Sequence, residues 1–231
     1  ALRRRRPSGG ARDMSLSRAW GGGCSVALTG GRFRWAEPLV IGGHRSGEER
    51  MIRDTARAYA QEKLMPRIVA ANRDETFDLA VMKEMADLGF LGATIEGYGC
   101  AGVSYVSYGL IMRELERVDT SYRSAVGVQS TLSMLPIYAY GTEEQRLRFL
   151  PRMAAGELLG CFGLTEPDHG SDPGGMQRRA RKADGGSRLN VAQTWISHAP
   201  TADLLPVWAP AHCVLVRGLL HAARPAGLSP H

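Results

Sequence analysis

A loop rich in glycine, proline and short polar residues follows an apolar run in the second half of the chain. Residues 161–175 read CFGLTEPDHGSDPGG, in which Thr165 and Ser171 supply hydroxyl groups. Glycines such as Gly170 would let backbone N–H groups approach a ligand that bulkier residues keep away. The loop therefore suits a phosphate or a flat polar ring. A purely structural turn stays open as the alternative, because Glu-Pro-Asp and Gly-Ser-Asp are also ordinary turn sequences.

A second candidate follows in the sequence VAQTWISHAP, where Trp195 stands two residues before the hydroxyl of Ser197. If this segment is a strand, both side chains point to one face. The indole could then stack on a flat ligand while the hydroxyl donates a hydrogen bond to its edge. Core packing of the tryptophan is the alternative interpretation.

Arg123 is a candidate anion-binding residue at the start of a predicted helix over about 122–138. In such a helix its stripe contains Gly127, Ser130 and Met134, so its charge would lie above a space left by small side chains. An inward-facing guanidinium needs an anion, and bidentate pairing with a carboxylate favours Arg over Lys. That anion is a ligand carboxylate in one interpretation. In the alternative, Arg123 bridges to Glu116, to Asp119 or to solvent at the helix start.

The elements that must position these residues are helices first and strands second. Capping-box spacing at 46–49, helical periodicity and stop signals predict helices over about 46–64, 78–88, 103–119, 122–138 and 143–157. Pro66 is expected to disturb the first, and Gly89 to stop the second. Short apolar runs predict strands at 158–164, 189–196 and 213–216. Because strands follow helices rather than alternate with them, the sequence predicts an α+β fold, with an amino-terminal all-α helical bundle over 44–157.

The basic balance of the chain is concentrated in its first residues. The net charge is +6 over 231 residues, and residues 1–34 hold eight arginines and a single acid, Asp13. The remainder is nearly neutral, which argues against a nucleic-acid partner. The Arg- and Ser-rich, acid-poor composition is typical of an organelle transit peptide, so residues 1–43 are predicted to be a disordered, transit-peptide-like leader. A disordered basic tail is the alternative.

Other classes of site receive no support from the sequence. No apolar run approaches the roughly 18 residues that span a bilayer. The four cysteines, Cys24, Cys100, Cys161 and Cys213, form no C-x-x-C pair, so neither a metal site nor a disulfide framework is indicated. His169 and His198 have no partner at a recognisable spacing, and we interpret both as surface residues rather than general bases.

GLTEP followed by GSD and later by TWI resembles the flavin-binding signature of the acyl-CoA dehydrogenases. RELERVD, YRSA, PIYAYG and ELLGCFGLTEP are similar to the amino-terminal half of the mitochondrial glutaryl-CoA dehydrogenase branch of that family, and the resemblance covers about residues 33–208. It implies a middle β domain over 158–231, incomplete and built as a partial β-barrel or sandwich, and FAD as the cofactor. The residues implied to bind FAD are Phe162, Gly163, Leu164, Thr165, Glu166, Gly170, Ser171, Trp195, Ile196 and Ser197.

The resemblance also implies a substrate and a reaction. Arg123, Ser124 and Ser171 would contact an acyl-CoA, a glutamate would remove its α-proton, and the β-hydrogen would leave as hydride to the flavin. Electrons would then pass to an electron-transfer flavoprotein. In the glutaryl branch, glutaryl-CoA is oxidatively decarboxylated to crotonyl-CoA, in lysine and tryptophan degradation in the mitochondrial matrix.

The family's carboxy-terminal helical bundle supplies the catalytic glutamate and most of a homotetramer interface, and the sequence up to His231 holds no match to it. We therefore assign no catalytic residue and expect this truncated chain to be inactive alone. The family's homotetramer is not expected to form from it. Two alternatives remain: an acyl-CoA dehydrogenase for another acyl chain, and a non-catalytic fragment.

Overall fold

The computed structural model describes residues 41–177, 179–183, 186–190, 192–211 and 215–222. By its contacts the chain divides into two units, Ala1–Gly43 and His44–His231. Of the predicted leader, only the start of a short 3-10 turn at Ile41–His44 is described, so the transit-peptide prediction lies outside the described residues. The α-helices and β-strands that the structure describes lie in the second unit.

The first part of this unit is helical, as the sequence predicts. Its α-helices are α1 Gly47–Tyr59, α2 Met65–Arg73, α3 Ala80–Asp87, α4 Tyr105–Glu116, α5 Thr120–Gly127, α6 Leu135–Tyr140 and α7 Glu143–Ala154. The capping box of Ser46 and Glu49 begins α1, with side-chain and backbone hydrogen bonds in both directions. Gly89 follows α3 with a φ of 73°, the left-handed conformation that ends helices.

Two of the predicted helices contain a wide π-type turn. Ala60–Leu64 joins α1 to α2 directly before Pro66, so the regular helical hydrogen bonding is disturbed there as predicted, although the chain continues as a helix through Arg73. Val128–Met134 joins α5 to α6 and changes the helical register. The prediction of one regular stripe beneath Arg123 is therefore wrong.

The described strands form one four-stranded sheet in the order β2-β1-β3-β4, with β1 Ala180–Ala183, β2 Gly186–Leu189, β3 Leu204–Ala211 and β4 Leu215–Ala222. β1 pairs antiparallel with β2 and parallel with β3, and β3 pairs antiparallel with β4. The sequence did not predict β3, because Pro206 and Pro210 interrupt it. The order of helices before strands is confirmed, whereas closure into a barrel or sandwich stays a prediction.

The predicted strand at 158–164 is not a regular strand. It pairs with β3 through two isolated parallel bridges, from Gly160 to Leu204 and from Gly163 to Val207. The predicted strand at 213–216 overlaps only the first residues of the much longer β4. We call residues 158–163 the junction, because they connect α7 to the sheet.

Two apolar clusters stabilise this arrangement. The larger lies mainly among the helices and includes Leu64, Met85 and Leu115, which are fully buried. The second cluster contains helical residues, among them Met134 and Leu150, together with Leu204 of β3. Burial of such side chains contributes about 1.5–3 kcal/mol each, so the helices and the sheet are coupled through a common core. None of the described helices is long and apolar enough to cross a membrane.

Candidate functional site

The main chain of the junction is fixed on β3 by backbone hydrogen bonds. Cys161 N donates to Leu204 O at 3.0 Å, and Gly163 N donates to Pro206 O at 2.9 Å. Trp208 N donates to Gly163 O, also at 2.9 Å. The start of the predicted ligand loop, at Phe162, is thus held on a strand that sequence analysis did not identify.

The two predicted cofactor segments lie next to each other. Thr194 N donates a hydrogen bond to Thr165 O at 3.0 Å. The amide of Gln193 packs against Gly163, where a Cβ would lie only 2.0 Å from Gln193 Oε1. Although widely separated in sequence, the loop that begins at Phe162 and the segment that precedes Trp195 therefore form one local structure.

Glu166, one of three acidic residues in the loop, closes a tight turn. Glu166 and His169 exchange backbone hydrogen bonds of 3.3 and 3.2 Å, and the buried Glu166 carboxylate accepts a hydrogen bond from Gln177 N at 3.0 Å. Leu164 and Thr165 are half-buried, whereas Gly170 and Ser171 are exposed at the end of the turn. The Glu166 carboxylate thus stabilises the loop. Ser171, which carries one of the predicted ligand hydroxyls, is exposed.

Trp195 does not lie in a strand. Among the described residues of the predicted strand at 189–196, only Leu189 belongs to a strand, and the φ of Trp195 is 59°, a left-handed conformation that strands do not use. The alternation that placed Trp195 and Ser197 on one strand face is therefore wrong. The side chain of Trp195 is 93% exposed, Ile196 is half-buried and Ser197 is exposed, so the indole offers a free ring face.

An open cavity of about 290 Å³ brings together a predicted substrate residue and a predicted cofactor residue. Ser124 of α5 and Ser197 both line it, with Ser121, Thr201, Phe77, Leu79, Ala125 and His198. Four hydroxyl-bearing residues thus share the lining with apolar side chains, and two of their hydroxyls already donate within the protein, Ser121 to Asp119 Oδ1 and Thr201 to His198 O. A cavity of this kind combines apolar contact with a few orienting hydrogen bonds, as small-molecule sites do. Neither Phe77 nor Thr201 belongs to a sequence motif, so the sequence did not predict their place in the cavity lining.

His198 is half-buried in the cavity wall, which corrects the interpretation of it as a surface residue. Its ring packs edge-on against Phe77 with the centroids 5.7 Å apart, and its φ is 66°. Burial lowers the pKa of His198, which favours the neutral imidazole in the cavity wall. His169 is also half-buried, near Gly175, where a Cβ would lie 2.9 Å from His169 Nδ1. The contact of His198 with Phe77 joins residues far apart in the sequence, which the sequence pattern does not reveal.

Arg123 has an acidic partner on the preceding helix. Arg123 Nε donates to Glu116 Oε2 at 2.7 Å, and the hydroxyl of Thr120 donates to the other carboxylate oxygen at 2.9 Å. The hydrogen bonds from Arg123 and Thr120 lower the pKa of Glu116. The Arg123 side chain is 37% exposed, so it is neither buried nor unpaired, and of the two alternatives the local acid is the observed partner. Ser124, the next residue, is the one that lines the cavity.

Two family models match the chain in sequence order. The acyl-CoA dehydrogenase N-terminal domain matches residues 46–157, and the acyl-CoA dehydrogenase middle domain matches residues 161–221. The chain belongs to the acyl-CoA dehydrogenase family. The members of this family are oxidoreductases, and the helical part and the sheet correspond to its first two domains.

Curated relatives include several acyl-CoA dehydrogenases. An acyl-CoA dehydrogenase of Bacillus subtilis (strain 168) is 32% identical over 167 residues, which is 72% of this chain and 44% of the relative. The mitochondrial short-chain specific acyl-CoA dehydrogenase of Bos taurus is 34% identical over 161 residues, 69% of this chain and 39% of the relative. The chain therefore spans less than half the length of these acyl-CoA dehydrogenases.

Solved structures of the family contain the flavin. A glutaryl-CoA dehydrogenase from Mycobacterium smegmatis in complex with FADH2 is 42% identical with a TM-score of 0.80, covering 82% of this chain and 49% of that one. An acyl-CoA dehydrogenase from Bacillus anthracis complexed with FAD is 32% identical with a TM-score of 0.75, covering 81% of this chain and 33% of that one. The structural neighbours thus include FAD-bound acyl-CoA dehydrogenases.

Proposed function

We propose that this chain provides the FAD-binding middle domain and the helical domain of an acyl-CoA dehydrogenase that acts on glutaryl-CoA. The observation that supports FAD binding best is the hydrogen bond from Thr194 N to Thr165 O, which joins the two segments that carry the family's flavin signature. FAD supplies the hydride acceptor for oxidation of an acyl thioester. The residues of this chain bind and orient the flavin.

The residues present fit a flavin. Main-chain groups of Phe162, Gly163, Leu164 and Glu166 would follow the edge of the ring, with the hydroxyls of Thr165, Ser171 and Ser197 as hydrogen-bond donors. Trp195, at 93% exposure, presents an open aromatic face, and Ile196 lies beside it. A Cβ at Gly170 would meet no atom within 4 Å, so the loop leaves open space there. Exposed hydroxyls with an exposed indole suit a planar polar ring.

The glutaryl specificity rests on Arg123 and Ser124. The bond from Arg123 Nε to Glu116 uses one of five guanidinium N–H donors and leaves the terminal nitrogens for the second carboxylate of a dicarboxylic thioester. Glu116 would hold the guanidinium in one orientation, and Ser124 would face the ligand in the cavity. The 42% identity with the glutaryl-CoA dehydrogenase from Mycobacterium smegmatis supports the same substrate.

We propose further that the described residues hold no proton-accepting base for the reaction. Glu166 is the buried carboxylate of the loop, and its interaction with Gln177 N makes it a structural group. The 231-residue chain would therefore bind flavin without turning over an acyl-CoA.

In the whole protein, an electron-transfer flavoprotein is the proposed electron acceptor. A mitochondrial matrix location is proposed from the leader composition, and the family also has bacterial members.

The absorption spectrum of the purified 231-residue chain tests this function. After reconstitution with FAD and gel filtration, we expect a protein-bound flavin spectrum that glutaryl-CoA perturbs but does not bleach under anaerobic conditions. A Thr165→Val variant, which keeps the side-chain shape and loses the hydroxyl, should retain less flavin than the unchanged chain.

A colourless protein would overturn FAD binding and favour a non-catalytic fragment. Bleaching by glutaryl-CoA would overturn the proposed inactivity, and bleaching by butyryl-CoA alone would favour another acyl substrate.

A further inference from the structure

Gln129 is a fully buried polar side chain that bonds three main-chain groups of another segment. Gln129 Nε2 donates to Met153 O at 3.1 Å and to Leu158 O at 2.8 Å, and Gln129 Oε1 accepts from Gly160 N at 2.8 Å. Both amide hydrogens and the carbonyl oxygen are therefore used. These contacts fix the orientation of the amide, because the flipped form would place NH₂ against the Gly160 N–H and the oxygen against two carbonyls.

The wide turn that contains Gln129 lies directly on the junction. Ser133, one helical turn further on, is fully buried and places its hydroxyl 3.5 Å from Cys161 O. A Cβ on Gly160 would lie 2.5 Å from the Cβ of Ser133, so only glycine allows the two backbones to approach this closely. Gln129 thus acts beside a close contact between the helices and the chain that enters the sheet.

The junction leads into the flavin loop without an intervening flexible segment. Gly160 N is bonded to Gln129 on one side, and Cys161 N and Gly163 N are bonded to β3 on the other. Thr165 O, two residues after Gly163, accepts the bond from Thr194 that joins the two flavin segments. A displacement of Gly160 would therefore be passed to Gly163 and to Thr165.

We propose that Gln129 is a positioning residue for the flavin-binding loop. It does not touch the cofactor: it fixes the junction from the helical side, while β3 fixes it from the other, and so sets where Phe162 and Thr165 stand. Removing its amide takes this partner away from the buried Gly160 N and the half-buried Leu158 O, whereas Met153 O keeps its bond from Gly156 N at 3.2 Å. The loss at Gly160 and Leu158 favours movement of the junction. The inference rests on the proposed function for its link to FAD.

Gln129→Met is the test variant, because methionine has a similar length and forms none of these hydrogen bonds. Ser130→Ala is the matched control: Ser130 is the next residue in the same turn and is also buried, but its hydroxyl accepts from Gly92 N at 2.9 Å, within the helical part. Amide hydrogen exchange of the FAD-free full chain and its FAD dissociation constant are measured for both variants. Gln129→Met should raise exchange in 158–166 and weaken FAD binding, each about tenfold, the size expected for a buried hydrogen-bond loss. Ser130→Ala should raise exchange around 90–95 and leave FAD binding within twofold.

Each outcome separates this inference from the proposed function. If the unchanged chain does not bind FAD, the proposed function fails, and exchange in 158–166 still decides whether Gln129 fixes the loop. Equal exchange in 158–166 for both variants would overturn the positioning role, as would faster exchange with unchanged FAD affinity. If Gln129→Met does not fold, Gln129→Glu keeps the size and the acceptor oxygen and loses the donors to Met153 and Leu158. It should then give the same localised exchange.

Discussion

At the scale of single residues, the pair Arg123–Glu116 has a structural consequence and, under the proposed function, a functional one. The sequence left two partners open for the guanidinium, and the structure pairs it with Glu116 at 2.7 Å. The pair is partly exposed, so its own contribution to stability is small. A guanidinium that Glu116 already orients would bind a second carboxylate with less loss of side-chain entropy.

Replacement of Arg123 tests this role. In the FAD-loaded chain, Arg123→Met should weaken glutaryl-CoA binding by about tenfold or more, since hydrogen bonds to charged groups contribute about 1.5–3 kcal/mol. Arg123→Lys should restore part of the affinity, because it keeps the charge without the bidentate geometry. Titration calorimetry with butyryl-CoA, which has no terminal carboxylate, is the control and should show no change. Equal losses for both ligands would show that Arg123 supports the pocket only structurally.

At the scale of elements, the sequence predicted the features that depend on local interactions. The capping box at Ser46 and the stop at Gly89 were predicted because each involves residues within one turn. The strand β3 was not, because its prolines oppose strand formation and its pairing comes from β4 and the junction. The sequence did place Thr165 and Trp195 in candidate segments. It could not predict the left-handed conformation of Trp195 or the cavity beside these segments, because both depend on contacts between distant parts of the chain.

The contact between the wide turn Val128–Met134 and the junction gives a prediction for stability. Gly160→Ala places a Cβ 2.5 Å from the Cβ of Ser133 and 3.0 Å from the end of Met153, both fully buried. Such overpacking should lower the free energy of unfolding by about 1–3 kcal/mol in urea titrations. Gly170→Ala, where a Cβ meets no atom within 4 Å, is the control and should change it by less than about 0.5 kcal/mol. If Gly160→Ala lowered the free energy of unfolding no more than Gly170→Ala does, the junction would be able to move aside and accept the added methyl group.

At the scale of the whole second unit, the helices and the sheet are predicted to unfold together. Leu204 of β3 is 4% exposed and belongs to the same apolar cluster as Met134, Leu150 and Met153 of the helical part. The hydrogen bonds of Gln129 and of the junction cross the same boundary. The helices and the sheet therefore share one apolar core, and neither can keep its part of that core buried alone. A shared core favours a single cooperative unfolding transition.

Two probes of urea unfolding can follow the parts separately. Circular dichroism at 222 nm reports the helices, and the fluorescence of Trp208 reports β3 in a variant whose other three tryptophans are replaced by phenylalanine. We expect coincident midpoints.

Leu204→Ala should shift both midpoints together and lower the free energy of unfolding by about 2–5 kcal/mol, because the cavity removes contacts from helices and sheet at once. Leu147→Ala, at a site 61% exposed, should shift neither by a comparable amount. If Leu204→Ala moved only the fluorescence transition, the sheet would be an independent unit, and positioning of the flavin loop from the helical side would lose its physical basis.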